Sequence, residues 1–185
     1  MLRKIIAVDK SYADRVANDS GHPYFPARDF LSLMHGEGNG YDPDRDYVDI
    51  IEALCTVVEM VPGSDSPEDW ATVRANAVRQ QHALEDAGYR VIYSSSKRSQ
   101  ATKSGYKSNE DQLLMIHTLV LAMRIKPDFL ALVAGDGDYA PFIWQLRGEG
   151  IRTEVIAHPT NLASDLRRAS YNQIDLLAVL ERCRS

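Results

Sequence analysis

The chain of 185 residues has only two cysteines, Cys55 and Cys183, far apart and with no C-x-x-C spacing. A cysteine-based zinc site and a disulfide framework are therefore not expected, and a reducing, cytoplasmic setting fits better than secretion. No run of about 18 apolar residues is present, so no membrane-spanning helix is expected. The opening MLRKIIAVDKSYADR has a basic pair and a short apolar run cut off by Asp9, unlike a secretory leader. A basic excess is also missing: 21 Lys and Arg stand against 26 Asp and Glu, for a net charge of −5. Broad, non-specific nucleic-acid binding normally needs that excess, although a local basic patch can exist without it. Glycine is absent from DKSYAD, the turn after the first expected strand, which excludes a dinucleotide-binding turn there.

What is present reads as one domain over 1–185 built from alternating strands and helices. Leu2–Val8 is an apolar run without alternation, which suits a strand covered on both faces. Residues 11–40 hold Gly21, Pro23 and Pro26 and read as irregular, apart from a short helix over Ala27–His35. Asp46–Leu54 places Tyr47, Ile50, Ile51 and Leu54 at helical spacing, and Thr56–Val61 reads as a second strand. Pro67–Ala87 is a helix with Ser66 as cap and Gly88 as stop. Tyr89–Tyr93 is a strand, 94–109 is a loop without one acidic residue, and Glu110–Arg124 carries an apolar helical stripe. Asp128–Ala134 and Thr153–Ala157 are strands around a helix over Tyr139–Gly148. Helices over Asn161–Ala169 and Ile174–Arg182 complete the chain, the second with a start that also suits a short strand. This alternation predicts an α/β fold with a mostly parallel sheet of about five strands and helices on both faces.

The fourth expected strand runs straight into two aspartates, in LALVAGDGDYAPF (130–142). In open α/β sheets ligands bind beyond the carboxyl ends of the strands. Asp9 follows the first strand, Asp136 and Asp138 follow the fourth, and Asp111 opens a helix that starts on the same edge. Each has a plain local reading as well: Asp138 as a helix cap, Asp136 as a turn residue, Asp111 in a capping box with Ser108, Asp9 capping a turn. Four carboxylates at one edge cannot all stay ionised without a counter-charge. Mg²⁺ or Mn²⁺ supplies one through oxygen ligands, and the chemistry suggested is metal-assisted phosphodiester hydrolysis.

The stretch SNEDQLLMIHTLVLAMRIKPDFLALVAGDGDYAPFIWQLRGEGIRTEVIA (108–157) resembles the NYN domain, in the LabA-like branch of the PIN-like nucleases. That pattern is an aspartate opening an apolar helix, a strand, then S-G-D-x-D-[FY]-x-P, a helix ending in glycine, and a strand. The resemblance implies a Rossmann-like PIN fold and a metal-dependent endoribonuclease. It implies that Asp9, Asp111, Asp136 and Asp138 form the catalytic, metal-holding set. The chain departs from the pattern in three places. Tyr12 stands where the family often has Asn, Ala134 replaces Ser, and His117 occupies a further acidic position. His117 retains the capacity to bind a metal or act as a base. Glu110, seven residues before it on the same helix face, is the other candidate to supply the missing acid.

The acid-free loop carries Lys97, Arg98, Lys103 and Lys107, with Tyr93 and Tyr106 among them. Basic side chains interleaved with aromatics suit single-stranded RNA, although a solvated loop has the same composition. Arg167 and Arg168 are a weaker candidate of the same kind. A haloacid-dehalogenase-type phosphatase is disfavoured because Ser11 stands where its second aspartate would be. The alternative function is a catalytically weak PIN-like module that binds RNA or scaffolds a protein. Residues 10–45 would then form the surface for a protein partner or a second copy of the chain.

Overall fold

The computed structural model describes residues 2–35, 48–62, 66–99 and 106–183. Six strands form one fully parallel sheet: β1 (Leu2–Val8), β2 (Val48–Glu59), β3 (Arg90–Ser95), β6 (Phe129–Val133), β7 (Arg152–Ala157) and β8 (Asn172–Asp175). Two further short strands, β4 (Lys97–Arg98) and β5 (Tyr106–Lys107), pair as a separate antiparallel ribbon. The helices are α1 (Lys10–Asp19), α2 (Ala27–Met34), α3 (Pro67–Asp86), α4 (Glu110–Ile125), α5 (Ala140–Gly148), α6 (Ser164–Ala169) and α7 (Leu176–Arg182). A 3₁₀ turn at Gly137–Tyr139 leads into α5.

The sheet order is β3-β2-β1-β6-β7-β8. The chain builds outward from β1 through β2 to β3, then crosses back to the other side of β1 for β6. The direction of winding therefore reverses between β1 and β6, where an open α/β sheet forms its ligand crevice. Ile5, Ile6, Ala7 and Val8 of β1 are fully buried, as are Leu130–Val133 of β6. Both strands are covered on both faces, which is why their sequences are continuous apolar runs. The edge strand β3 alternates exposed and buried positions instead. Helix α7 packs against α1 and α2, and α5 against α4 and α6.

Three expectations are corrected. Asp46–Leu54 is not a helix: within it, the described residues from Val48 onward belong to β2, which sits between β1 and β3. A strand covered on both sides carries apolar residues at successive positions, and such a run contains 3-4 spacings by chance. Residues 10–19 are not irregular but form α1, capped by Asp9, with Tyr12, Ala13, Val16 and Ala17 buried. Only the inner face of that part of the proposed partner surface is core, its outer face being exposed, while its residues 36–45 lie outside the described residues. The sheet has six strands rather than about five, because Asn172–Asp175 adds β8 at the edge. In addition, the helix expected from Asn161 starts only at Ser164. Pro67–Asp86 follows the expected helix closely: Ser66 Oγ accepts the Asp69 N–H, and Gly88 supplies a left-handed turn at φ +97°.

Candidate active site

Asp9 and the loop after β6 meet at the reversal point. Val8 pairs with Val133, and the Asp9 N–H donates to the Val133 carbonyl at 3.0 Å. The strand ladder thus carries Asp9 to the mouth of the loop holding Asp136 and Asp138. Asp9 Oδ1 accepts the Tyr12 N–H at 3.0 Å and caps α1. Its Oδ2 accepts the Tyr139 hydroxyl at 3.2 Å. The Lys10 N–H donates to the buried Thr56 hydroxyl at 3.0 Å, which fastens the start of α1 to β2.

Burial pushes the Asp9 carboxyl up to about 6, with the charges of Glu110 and then Asp111 adding to it. The bonds from Tyr12 and Tyr139 only partly offset this rise. No basic side chain among the described residues offsets it. The neighbouring Lys10 ammonium is held by Asp14 at 2.5 Å. Burial and the charges of Asp9, Asp111 and Glu110 likewise hold the Tyr139 phenol in its protonated form. Asp9, Glu110 and Asp111 thus bring like charges to one region around the Tyr139 hydroxyl, with no basic partner for Asp9 among the described residues.

Glu110 needs no rearrangement to join this cluster. Ser11 Oγ donates to Glu110 Oε1 at 3.2 Å across 99 positions of sequence, and Ser108 Oγ donates to Glu110 Oε2. Asp111 Oδ1 accepts the N–H of Gln112 at 2.8 Å. The Ser108–Asp111 capping box does not form, because the cap position falls on Asn109. Asn109 instead accepts the buried Ser94 hydroxyl at 2.8 Å, which ties the end of β3 to the start of α4. Asp136 Oδ1 accepts the Asp138 N–H at 3.1 Å, so Asp136, not Asp138, caps the turn. Both carboxylates are exposed. Asp111 and Asp136 each use one oxygen on a backbone N–H, which leaves the second for a ligand, whereas both oxygens of Asp9 already accept a bond. His117 is exposed on α4, seven residues beyond Glu110, or about 10 Å along the helix.

Among the described residues, no three His, Cys, Asp or Glu side chains lie close enough together to grip one ion unaided. The donor set nevertheless fits a hard divalent cation: it is all oxygen, and burial with like charges has already raised Asp9. Gly135 allows the loop its course. A Cβ there would lie 2.4 Å from Tyr12 Cε2 and 2.9 Å from the Asn161 carbonyl oxygen.

The basic loop leaves β3 at the same sheet edge and returns to α4. Its ribbon sets Lys97 directly opposite Lys107 and Arg98 opposite Tyr106. Like charges directly across a ribbon repel, so an anion lying over the exposed lysine pair would be stabilised there. Arg98 also reaches the Pro62 carbonyl at 3.4 Å. The Tyr93 hydroxyl is committed to Glu59. Lys103 lies outside the described residues. Cys55 is buried and Cys183 half-buried, both as free thiols. Among the described residues, no helix is long and apolar enough to cross a membrane.

The family model for the NYN domain matches residues 39–177, and the chain belongs to this family of PIN-like nucleases. The match begins after β1, so the place of Asp9 in the site rests on the structure and not on that match. The fold is similar to that of a crystal structure of a protein of unknown function, VPA0982, from Vibrio parahaemolyticus RIMD 2210633. The TM-score is 0.64 at 15% identity, covering 94% of this chain and 91% of that one. No curated protein matches the sequence.

Sequence reasoning missed Tyr139 as a site residue. Its signal was available, since it directly follows Asp138 and must be packed under the loop by the turn. Glu110, a candidate alongside Asp111 in the sequence, is tied to α1 through Ser11, and the charges of both carboxylates act on Asp9.

Proposed function

We propose that this chain is a single-domain, divalent-metal-dependent endoribonuclease of the LabA-like branch, acting on single-stranded RNA. The observation that carries the reading is the uncompensated acidic cluster at the reversal point of the sheet, with Asp9 held at about 6 by burial and by Glu110 and Asp111. Asp9, Glu110 and Asp111 would hold Mg²⁺ or Mn²⁺, with Asp136 and Asp138 closing the site from the loop after β6. Bound there, the cation neutralises charge on the phosphate and lowers the pKa of water. The chain's own part is positioning. Tyr139 and the Tyr12 N–H orient the two oxygens of Asp9. The Ser94–Asn109 bond closes the loop that carries Lys97, Arg98, Tyr106 and Lys107, and this ribbon would grip phosphates and bases near Glu110 and Asp111. The free thiols suit a cytoplasmic setting.

The second reading, an RNA-binding module with little turnover, is favoured by His117 in the family's acidic position, exposed on α4. One assay separates the two: a labelled single-stranded RNA incubated with Mn²⁺, Mg²⁺ or EDTA. Cleavage that requires metal and disappears in Asp136→Asn supports the nuclease. RNA bound but left intact by the wild type with either metal supports the module.

A further inference from the structure

Next to Asp136 lies an open cleft of about 380 Å³ whose other walls take no part in the proposed metal site. Its walls are Tyr12 and Arg15 of α1, the loop Gly135–Gly137, and Thr160–Ala163 after β7. The walls are cross-tied. The His158 N–H donates to the Tyr12 hydroxyl at 2.9 Å, and the Ala163 N–H to the Gly135 carbonyl at 3.0 Å. The Asn161 N–H donates to the His158 carbonyl at 3.0 Å. Such a cleft is built before any ligand arrives, which lowers the cost of binding.

Its chemistry is specific. The exposed Arg15 guanidinium lies 5.5 Å from the Tyr12 ring centre and has no carboxylate partner among the described residues. That leaves its donors for an anion, and a guanidinium matches phosphate geometry. Asn161 is exposed; its Oδ1 accepts only a long 3.4 Å bond from the Thr160 hydroxyl, and its amide sets donor and acceptor side by side, the combination that reads a base edge. The Thr160 hydroxyl lies 2.9 Å from His158 Nδ1 at the same rim. An apolar ligand would find few partners here, and a cation only Asp136. The volume is that of a small-ligand pocket and accommodates one nucleotide.

We propose that this cleft is the subsite for the nucleotide flanking the cleaved phosphate, with Arg15 on its phosphate and Asn161 reading its base. The identity of the ligand rests on the endoribonuclease reading. The strand would then cross the sheet edge from the Lys97–Lys107 ribbon, over Asp9 and Asp136, into the cleft. Asn161 would give the enzyme a base preference at that position.

The test uses amide ¹H–¹⁵N spectra of the full chain in EDTA, titrated with each of the four 5′-ribonucleoside monophosphates. Mn²⁺-dependent cleavage of a random single-stranded RNA is measured in parallel. Saturable shifts at Gly135, Gly137 and Asn161 are expected. Arg15→Ala should weaken them about tenfold, the loss of one charge-assisted hydrogen bond. Asn161→Ala should flatten the ranking of the four bases, in binding and in the mapped cleavage sites. Both side chains are exposed, and unchanged spectral dispersion verifies that the variants fold. Shifts confined to other regions, or the same affinities and ranking in both variants, would overturn the subsite. Cleavage without cleft binding overturns the subsite alone. Cleft binding without cleavage upholds a nucleotide-binding cleft and overturns the nuclease, and with it the cleft's place beside a cleaved phosphate.

Discussion

Asp9→Asn should make the metal-free protein more stable at neutral pH, although it removes a residue of the proposed site. The carboxyl rises from an ordinary 3.8 to about 6 on folding, because burial and two like charges oppose its ionisation. The folded value lies above the unfolded one. The penalty is therefore absent below about pH 4, grows between about 4 and 6, and is complete above 6. Stability from this group falls as pH rises, the opposite of a salt-bridged aspartate. At about 1.4 kcal/mol per pH unit, the rise amounts to about 3 kcal/mol at neutral pH. Asparagine keeps Oδ1 for the Tyr12 N–H, and its amide can donate to the Tyr139 oxygen where Asp9 accepted from the hydroxyl. The net gain should be about 2 kcal/mol at pH 7.5, or about 4–8 °C in Tm for a chain of this size. At pH 4 the two proteins should melt almost together. Thermal melts in EDTA between pH 4 and 8 measure this directly. Equal pH profiles, or a variant less stable than wild type at pH 7.5, would refute the claim that Asp9 is an uncompensated buried charge. Excess Mg²⁺ should then raise the Tm of the wild type and not of Asp9→Asn, since only the former gains a bound ion.

The remaining expectations concern the loop and the ribbon. Gly135→Ala should cost about 1–3 kcal/mol, because its methyl group would meet the buried Tyr12 ring at 2.4 Å. Gly137→Ala should change stability by less than about 0.5 kcal/mol, since its nearest neighbour would be Ala163 Cβ at an ordinary 3.5 Å; equal chemical-denaturation midpoints for the two would contradict this. Replacing Lys97 and Lys107 together by alanine should leave the fold intact and weaken RNA binding. The slope of log affinity against log salt should fall by about 0.7 per lysine. An unchanged slope in fluorescence anisotropy would remove the ribbon from the RNA path.

The sheet was legible where burial on both faces wrote continuous apolar runs, as in β1 and β6. The same property hid β2, whose run also fits helical spacing, so periodicity could not arbitrate. Helix α1 was obscured by its charged outer face and by the glycine and prolines that follow it, although Asp9, Tyr12, Ala13, Val16 and Ala17 spell a capped, one-sided helix. Among the candidate residues, the position of Asp9, Asp136 and Asp138 at one sheet edge could be read, because a strand end fixes where the next residues go. The nearness of Glu110 to Asp9 could not, since it depends on how α4 packs across β1, β2 and β3. The Arg15–Asn161 cleft is a product of tertiary contact, with no local spacing to mark it.

The most direct test of the central claim is calorimetric titration of Mn²⁺ into the wild type, Asp111→Asn and Asp136→Asn, with Asp19→Asn at the far end of α1 as control. Saturable binding in the wild type and the control, weakened at least about tenfold in both site variants, is the result predicted. Binding unaffected by either site variant, or no binding by the folded wild type, would contradict the claim that these carboxylates hold the ion.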